Sequence, residues 1–368
     1  MMLLDQTRLR NAEALVDRAA LTGGGRVQFV VNLHAELTPA LTVRRYGILH
    51  DRQKSWTAAA NFRPMDTELR HELRTRLTRA IRHAHRLGLD VAILPHLDAA
   101  GEVQEWRNLF DVDPLATHGG YSYATSMVGP VAHAIVDSNT PGRRVWFALS
   151  GEMGRSLFTY PDSYVELLAT TRRQVLAPSV SLGISLNFRD IAGGASYSTR
   201  RAVLNSFLSK CDFVGISCYR PFTPPATPQL FANTVGAFRA ELAEQGLNPT
   251  GRWKVHLSEI GLGGGDQAGA SAAEAAARPW EGMPTGRGNP WRRPDMAALR
   301  RDYYGALLDY LDGEAKTVEA AFMWSEGSWE PMGVDAPEYA DSLVFDRVRR
   351  HNRRATNAAA GTRMDRDE

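Results

Sequence analysis

The sequence predicts a (β/α)8 barrel, and three observations carry that expectation. Eight short apolar runs punctuate the chain, near 27–33, 56–62, 90–96, 145–151, 181–187, 212–218, 254–259 and 319–325. Most are continuous rather than alternating, as strands buried on both faces are. Helical stretches separate them, and strand–helix alternation repeated eight times favours a closed barrel over a doubly wound open sheet. Finally, the connections 97–144 and 260–294 are far longer than a simple link needs. Both follow strands, which puts them on the C-terminal face, where barrels carry their active sites.

The elements follow in order. The first run is Val27-Gln-Phe-Val-Val-Asn-Leu33, and the second is Trp56-Thr-Ala-Ala-Ala-Asn-Phe62, on which the count of eight depends. From Asp66 to Leu87, Leu69, Leu73, Leu77, Ile81 and His85 recur at helical spacing, and Gly88 stops the helix. Further helices are expected near 162–176, 199–209, 228–245, 295–312 and 341–353. The connection after 254–259 is rich in Gly and Ala, then holds Pro279-Trp280 and Pro290-Trp291. Its Gly263-Gly264-Gly265 lacks the Lys-Ser/Thr ending of a phosphate loop and reads as a flexible loop over the site. Trp146 lies mid-strand and belongs to the core, while Trp56 and Trp253 are open. Residues 1–352 are expected to form one barrel domain. Arg353 to Glu368 is charged and aperiodic, which suggests a disordered tail.

Composition excludes several classes. The chain is 43% hydrophobic and 23% charged, ordinary for a globular protein. A net charge of +2 gives no push toward nucleic acid or an anionic membrane. No run of about 20 apolar residues is present to span a bilayer. The opening Met1-Met-Leu-Leu-Asp-Gln-Thr lacks a basic stretch followed by an apolar one. A cytoplasmic protein is expected from the sequence as it stands; a start farther upstream would reopen secretion. Cys211 and Cys218 fall in one strand region, roughly 23 Å apart if the strand is straight. That span is too long for a disulfide, and neither cysteine makes a zinc pattern.

The strand-end residues carry the chemistry: His96, Asp98, Glu152, Asn187, Tyr219, Glu259, Trp324 and Glu326. Two of these runs, Val145 to Glu152 and Trp253 to Glu259, each end on a glutamate. A carboxylate at the end of a buried strand is costly to place and adds little packing. Two of them converging on one pocket are the machinery of glycoside hydrolysis: one acid protonates the leaving oxygen, and a second carboxylate attacks or directs water. The acid must hold its proton near neutral pH, which burial and a neighbouring negative charge achieve. Trp106, Trp280, Trp291, Trp324 and Trp329 all follow expected strands and offer flat faces for sugar rings.

An ordered set of motifs resembles the clan A glycoside hydrolases. It comprises Pro95-His96-Leu-Asp98 with Trp106-Arg107, Gly151-Glu152, Cys211-Asp-Phe-Val-Gly-Ile-Ser-Cys-Tyr219, Ser258-Glu259-Ile-Gly261, Pro279-Trp280 and Phe322-Met-Trp324. Order and spacing are most similar to glycoside hydrolase family 113, a group of β-mannanases, over roughly residues 60 to 330. The resemblance implies that Glu152 is the acid/base after the fourth barrel strand and Glu259 the nucleophile after the seventh. It implies that Tyr219 bonds the nucleophile, that Trp324 floors the −1 subsite, and that the mechanism is retaining. His96, Asp98, Trp106, Asn187 and Trp280 are the remaining expected sugar contacts. The implied partner is a β-linked glycan, mannan being one option, and neither cofactor nor metal is implied. Many clan members have Asn before the acid/base, where this chain has Gly151, and relatives often have lysine where Leu94 precedes Pro95.

Alternatives remain at this level. His96 with Asp98 could be a metal pair, although no further His or Asp cluster joins them. Asn187 could contact substrate or shape a turn. A metal-dependent barrel hydrolase would need His-x-His after the first strand, and Asn32-Leu-His34 does not supply it. A catalytically inactive barrel that binds glycan or scaffolds an assembly would also use this fold.

Overall fold

The computed structural model describes residues 2–4, 8–50, 61–177, 179–195, 200–247, 254–314 and 318–364. Ten strands form one sheet: β1 (Met2–Leu4), β2 (Arg26–Leu37), β3 (Val43–Leu49), β4 (Phe62–Pro64), β5 (Asp90–Ala100), β6 (Val145–Gly151), β7 (Val180–Asn187), β8 (Phe213–Cys218), β9 (Lys254–Ile260) and β10 (Val318–Met323). Eight of the described strands run parallel, in the order β1-β2-β5-β6-β7-β8-β9-β10. β3 and β4 extend the upper part of β2 as an antiparallel ribbon.

The barrel has the expected eight parallel strands, but two assignments change. The run at 27–33 forms the second barrel strand, because Met2–Leu4 precedes it and pairs with it. Three residues are too short to show any periodicity. The run at 56–62 falls mostly outside the described residues, and its end, Phe62, starts an antiparallel strand against β3 rather than a barrel strand. Glu152 and Glu259 nevertheless follow the fourth and seventh parallel strands, β6 and β9, because the two errors cancel.

The sheet curls until its ends meet. Gln28 Nε2 on β2 donates to Ser258 O on β9 at 2.7 Å, although four strands separate them in sheet order. Arg26 likewise donates to the carbonyl of Glu319 on β10. Val30, Ala92, Leu94, Trp146, Ala148, Phe213, Ala320 and Phe322, drawn from five strands, form one small buried cluster. That is the filled interior of a barrel. Trp146 is in it, as its mid-strand position suggests. The alternate residues, such as Phe29, Val31, Ile93 and Phe147, join the larger core under the helices.

That outer layer comprises α1 (Ala12–Ala20), α2 (Thr67–Arg86), α3 (Gly129–Asp137), α4 (Gly154–Thr159), α5 (Pro161–Val175), α6 (Arg201–Lys210), α7 (Pro228–Glu244), α8 (Ala272–Ala277), α9 (Pro294–Glu314) and α10 (Ser342–Met364). α2 starts as its sequence demands: the Asp66 side chain accepts from Leu69 N at 2.7 Å, an N-cap bond. It ends at Gly88, with φ +79°, a conformation that suits glycine. α10 extends to Met364, into the stretch expected to be a charged tail. Among the described residues, no helix is long and apolar enough to cross a membrane. Both cysteines are free and buried.

At the lower end of the barrel, buried His256 stacks on Phe213 with ring centroids 4.4 Å apart. Its Nε2 lies 3.0 Å from Glu319 Oε2. Burial lowers the His256 pKa despite the opposing pull of Glu319, and burial lowers that of His85 as well. The native chain therefore resists protons that an unfolded histidine accepts near pH about 6.5. Stability is fully present above that pH and falls as the pH drops below it. Denaturant unfolding should show a declining unfolding free energy from about pH 7 downward, with His256→Gln flattening part of the slope and His85 retaining the rest. A slope unchanged by the substitution would remove His256 from this account.

Candidate active site

The C-terminal strand ends bring most of the expected residues together. Glu259 is 3% and Glu152 5% exposed, and each carboxylate is held by protein donors. Tyr219 OH donates to Glu259 Oε2 at 3.1 Å. His96 Nε2 lies 2.6 Å from Glu259 Oε1, within hydrogen-bond distance. The His96 ring also lies nearly parallel to Trp324, at 15° and 6.0 Å between centroids. Thus β5, β8, β9 and β10 each contribute to one wall around Glu259.

Glu152 has its own set of partners. Trp106 Nε1 donates to Oε2 at 3.2 Å, and Arg107 donates to the same oxygen at 2.7 Å. Arg107 also forks onto Asp98, with Nε 3.1 Å from Oδ1 and a second contact from its terminal nitrogen. Asn32 donates to the other Asp98 oxygen. Burial opposes the Arg107 charge, but Asp98, Glu152 and Glu259 together hold its pKa above the ordinary value. Burial, then Glu259 and Glu152, push the Tyr219 phenol pKa well up, so it stays a donor. Both glutamates therefore act electrostatically on Arg107 and on Tyr219.

Local backbone explains these orientations. Glu152 has φ +52°, a left-handed conformation that costs a non-glycine residue about 1–3 kcal/mol. Its N–H donates to Ser185 O at 3.0 Å, and the next turn is pinned where Gly154 N donates to Asn108 Oδ1 at 2.9 Å. Asn108 Nδ2 in turn donates to Asp190 O at 2.7 Å, so the segment carrying Trp106 and Arg107 is bolted to two strand ends. At Glu259 the β8–β9 register slips, pairing Ile216 with Leu257 but Ser217 with Glu259. Such an irregularity re-aims a side chain.

Other expected contacts sit differently. Asp98 is engaged by Arg107 and Asn32. Asn187 is buried, and its Nδ2 donates to Arg189 O at 2.9 Å, the turn-shaping alternative. Trp280 is 39% exposed, with the Arg189 guanidinium 5.2 Å from its ring centroid. Trp106 is 36% exposed. Among the described residues, no three His, Cys, Asp or Glu side chains are grouped to hold a metal ion. Sequence reasoning missed Arg107 and Asn32. Arg107 was visible only as the neighbour of Trp106, and Asn32 only as the start of a failed metal motif.

No protein-family model matches this sequence, and no curated protein matches it either. Solved structures do. A GH113 β-mannanase from Alicyclobacillus acidocaldarius in complex with ManMIm superposes with a TM-score of 0.57 at 14% identity, covering 95% of this chain and 96% of that one. A second GH113 structure, a β-1,4-mannanase, gives a TM-score of 0.54 at 12% identity over 95% and 93%. The shared fold is the (β/α)8 barrel. At these identities the likeness is one of fold.

Gly151 explains the missing asparagine before Glu152. A Cβ there would lie 2.8 Å from Pro95 O, 2.9 Å from Leu94 Cδ1 and 3.0 Å from the His96 ring. Gly151→Asn should therefore lower the thermal midpoint by an amount corresponding to about 1–3 kcal/mol of overpacking, and displace His96 from Glu259. An unchanged midpoint would mean that this strand crossing has slack.

Proposed function

We propose that the protein is a retaining glycoside hydrolase acting on a β-linked glycan, with β-mannan the first substrate to test. The observation that carries this reading is the buried pair at the ends of the fourth and seventh barrel strands, Glu152 held by Arg107 at 2.7 Å and Glu259 by Tyr219 at 3.1 Å. The fold shared with two β-mannanases supports the choice of glycan.

In the first step a Glu259 oxygen attacks the anomeric carbon while the glycosidic C–O bond breaks. Glu152 gives its proton to the departing oxygen. In the second step water loses a proton to Glu152, and its oxygen attacks the same carbon, releasing Glu259 from the glycosyl ester. Tyr219 and His96 fix the Glu259 carboxylate, and the exposed faces of Trp106 and Trp280 are proposed to flank the sugar chain. Trp324, stacked on His96, serves as the floor beneath the sugar being cleaved.

The two glutamates separate by kinetics. Glu259→Ala should abolish turnover. Glu152→Ala should slow substrates with poor leaving groups by about 10²–10⁴-fold. It should spare the first step with activated aryl glycosides, where added azide speeds the second step. Equal behaviour of both variants on both substrate types would refute these roles, and full activity in both would refute the reaction.

A further inference from the structure

We propose that Asp98 and Arg107 are positioning residues that govern when Glu152 gives and takes its proton, rather than residues that bind sugar. The inference rests on Glu152 being the acid/base. A retaining cycle needs this carboxyl protonated in one step and ionised in the next. A guanidinium 2.7 Å away favours the ionised form and works against the first step. Asp98 offsets that effect: it takes two contacts from the same guanidinium, and Asn32 anchors its other oxygen. Arg107 thus clamps Glu152 with its charge already shared.

Geometry adds a second consequence. Among the described residues, both side-chain donors to Glu152, Trp106 and Arg107, end on Oε2. A proton carried by Glu152 therefore belongs on Oε1, the oxygen that neither of these donors contacts. Among the described residues, the other charged or titratable groups near this cluster include Glu259 on β9, His96 on β5, Tyr219 after β8, and buried Tyr123, which feels Arg107.

The signs for the two residues are opposite. Asp98→Asn removes one of the carboxylates that share the guanidinium's charge, favours ionised Glu152, and should move the alkaline limb of kcat/KM down. Arg107→Gln removes the cation and leaves Asp98 facing Glu152, so the same limb should move up. Arg107→Lys keeps the charge and should hold the limb near its original position while lowering kcat through lost alignment. Profiles are to be measured with an unactivated β-linked oligosaccharide, which needs the acid. Variants that lose activity equally at every pH, or that leave the limb in place, would overturn the proposal. Azide rescue of Glu152→Ala on an aryl glycoside tests the underlying assignment separately. Rescue with an unmoved limb sinks only this inference, whereas absence of rescue sinks the acid/base reading itself.

Discussion

Burying three carboxylates beside one another is unfavourable unless something compensates for the lost hydration and the mutual repulsion. In this protein Arg107 meets that need. Its guanidinium contacts Asp98 and Glu152 directly and feels Glu259. Arginine suits the task because its planar fork holds two acceptors at once and keeps its proton. Asn32 meets the other Asp98 oxygen, His96 and Tyr219 meet the two Glu259 oxygens, and Trp106 joins Arg107 on Glu152 Oε2. The long connection after β5, an expensive feature if it only joined two elements, is what delivers Trp106 and Arg107 to this point.

The barrel turns that requirement into a site. β6 and β9 are three strands apart in sheet order, so a flat sheet would hold Glu152 and Glu259 well apart. Closure, seen in the Gln28–Ser258 bond and the interior cluster around Trp146, brings their ends to one mouth. The close approach at Gly151 and the strained turn at Glu152 are local consequences of the same crowding.

Much of this was legible in the sequence because strands buried on both faces read as unbroken apolar runs. The glutamates were visible because a charge ending such a run is costly. What was not legible has physical reasons too. Met2–Leu4 is held by its neighbour β2 rather than by any pattern of its own. The sequence could not show the contacts of Asp98 with Asn32 and Arg107, which come from a different strand and from a loop. No spacing rule links positions 32, 98 and 107, since their contact is made by β2–β5 pairing and by the path of a connection. Asn187 was balanced between two roles, and no sequence pattern could show its bond to the Arg189 carbonyl.

The proposed retaining mechanism passes through a covalent glycosyl ester on Glu259. Incubation with a 2-deoxy-2-fluoro β-glycoside bearing an activated leaving group, followed by peptide mass spectrometry, tests it most directly. The expected result is a single glycosyl adduct on the peptide containing Glu259, absent from Glu259→Ala. An adduct on another residue would contradict the account, as would β-glycan turnover that inverts the anomeric centre without any adduct.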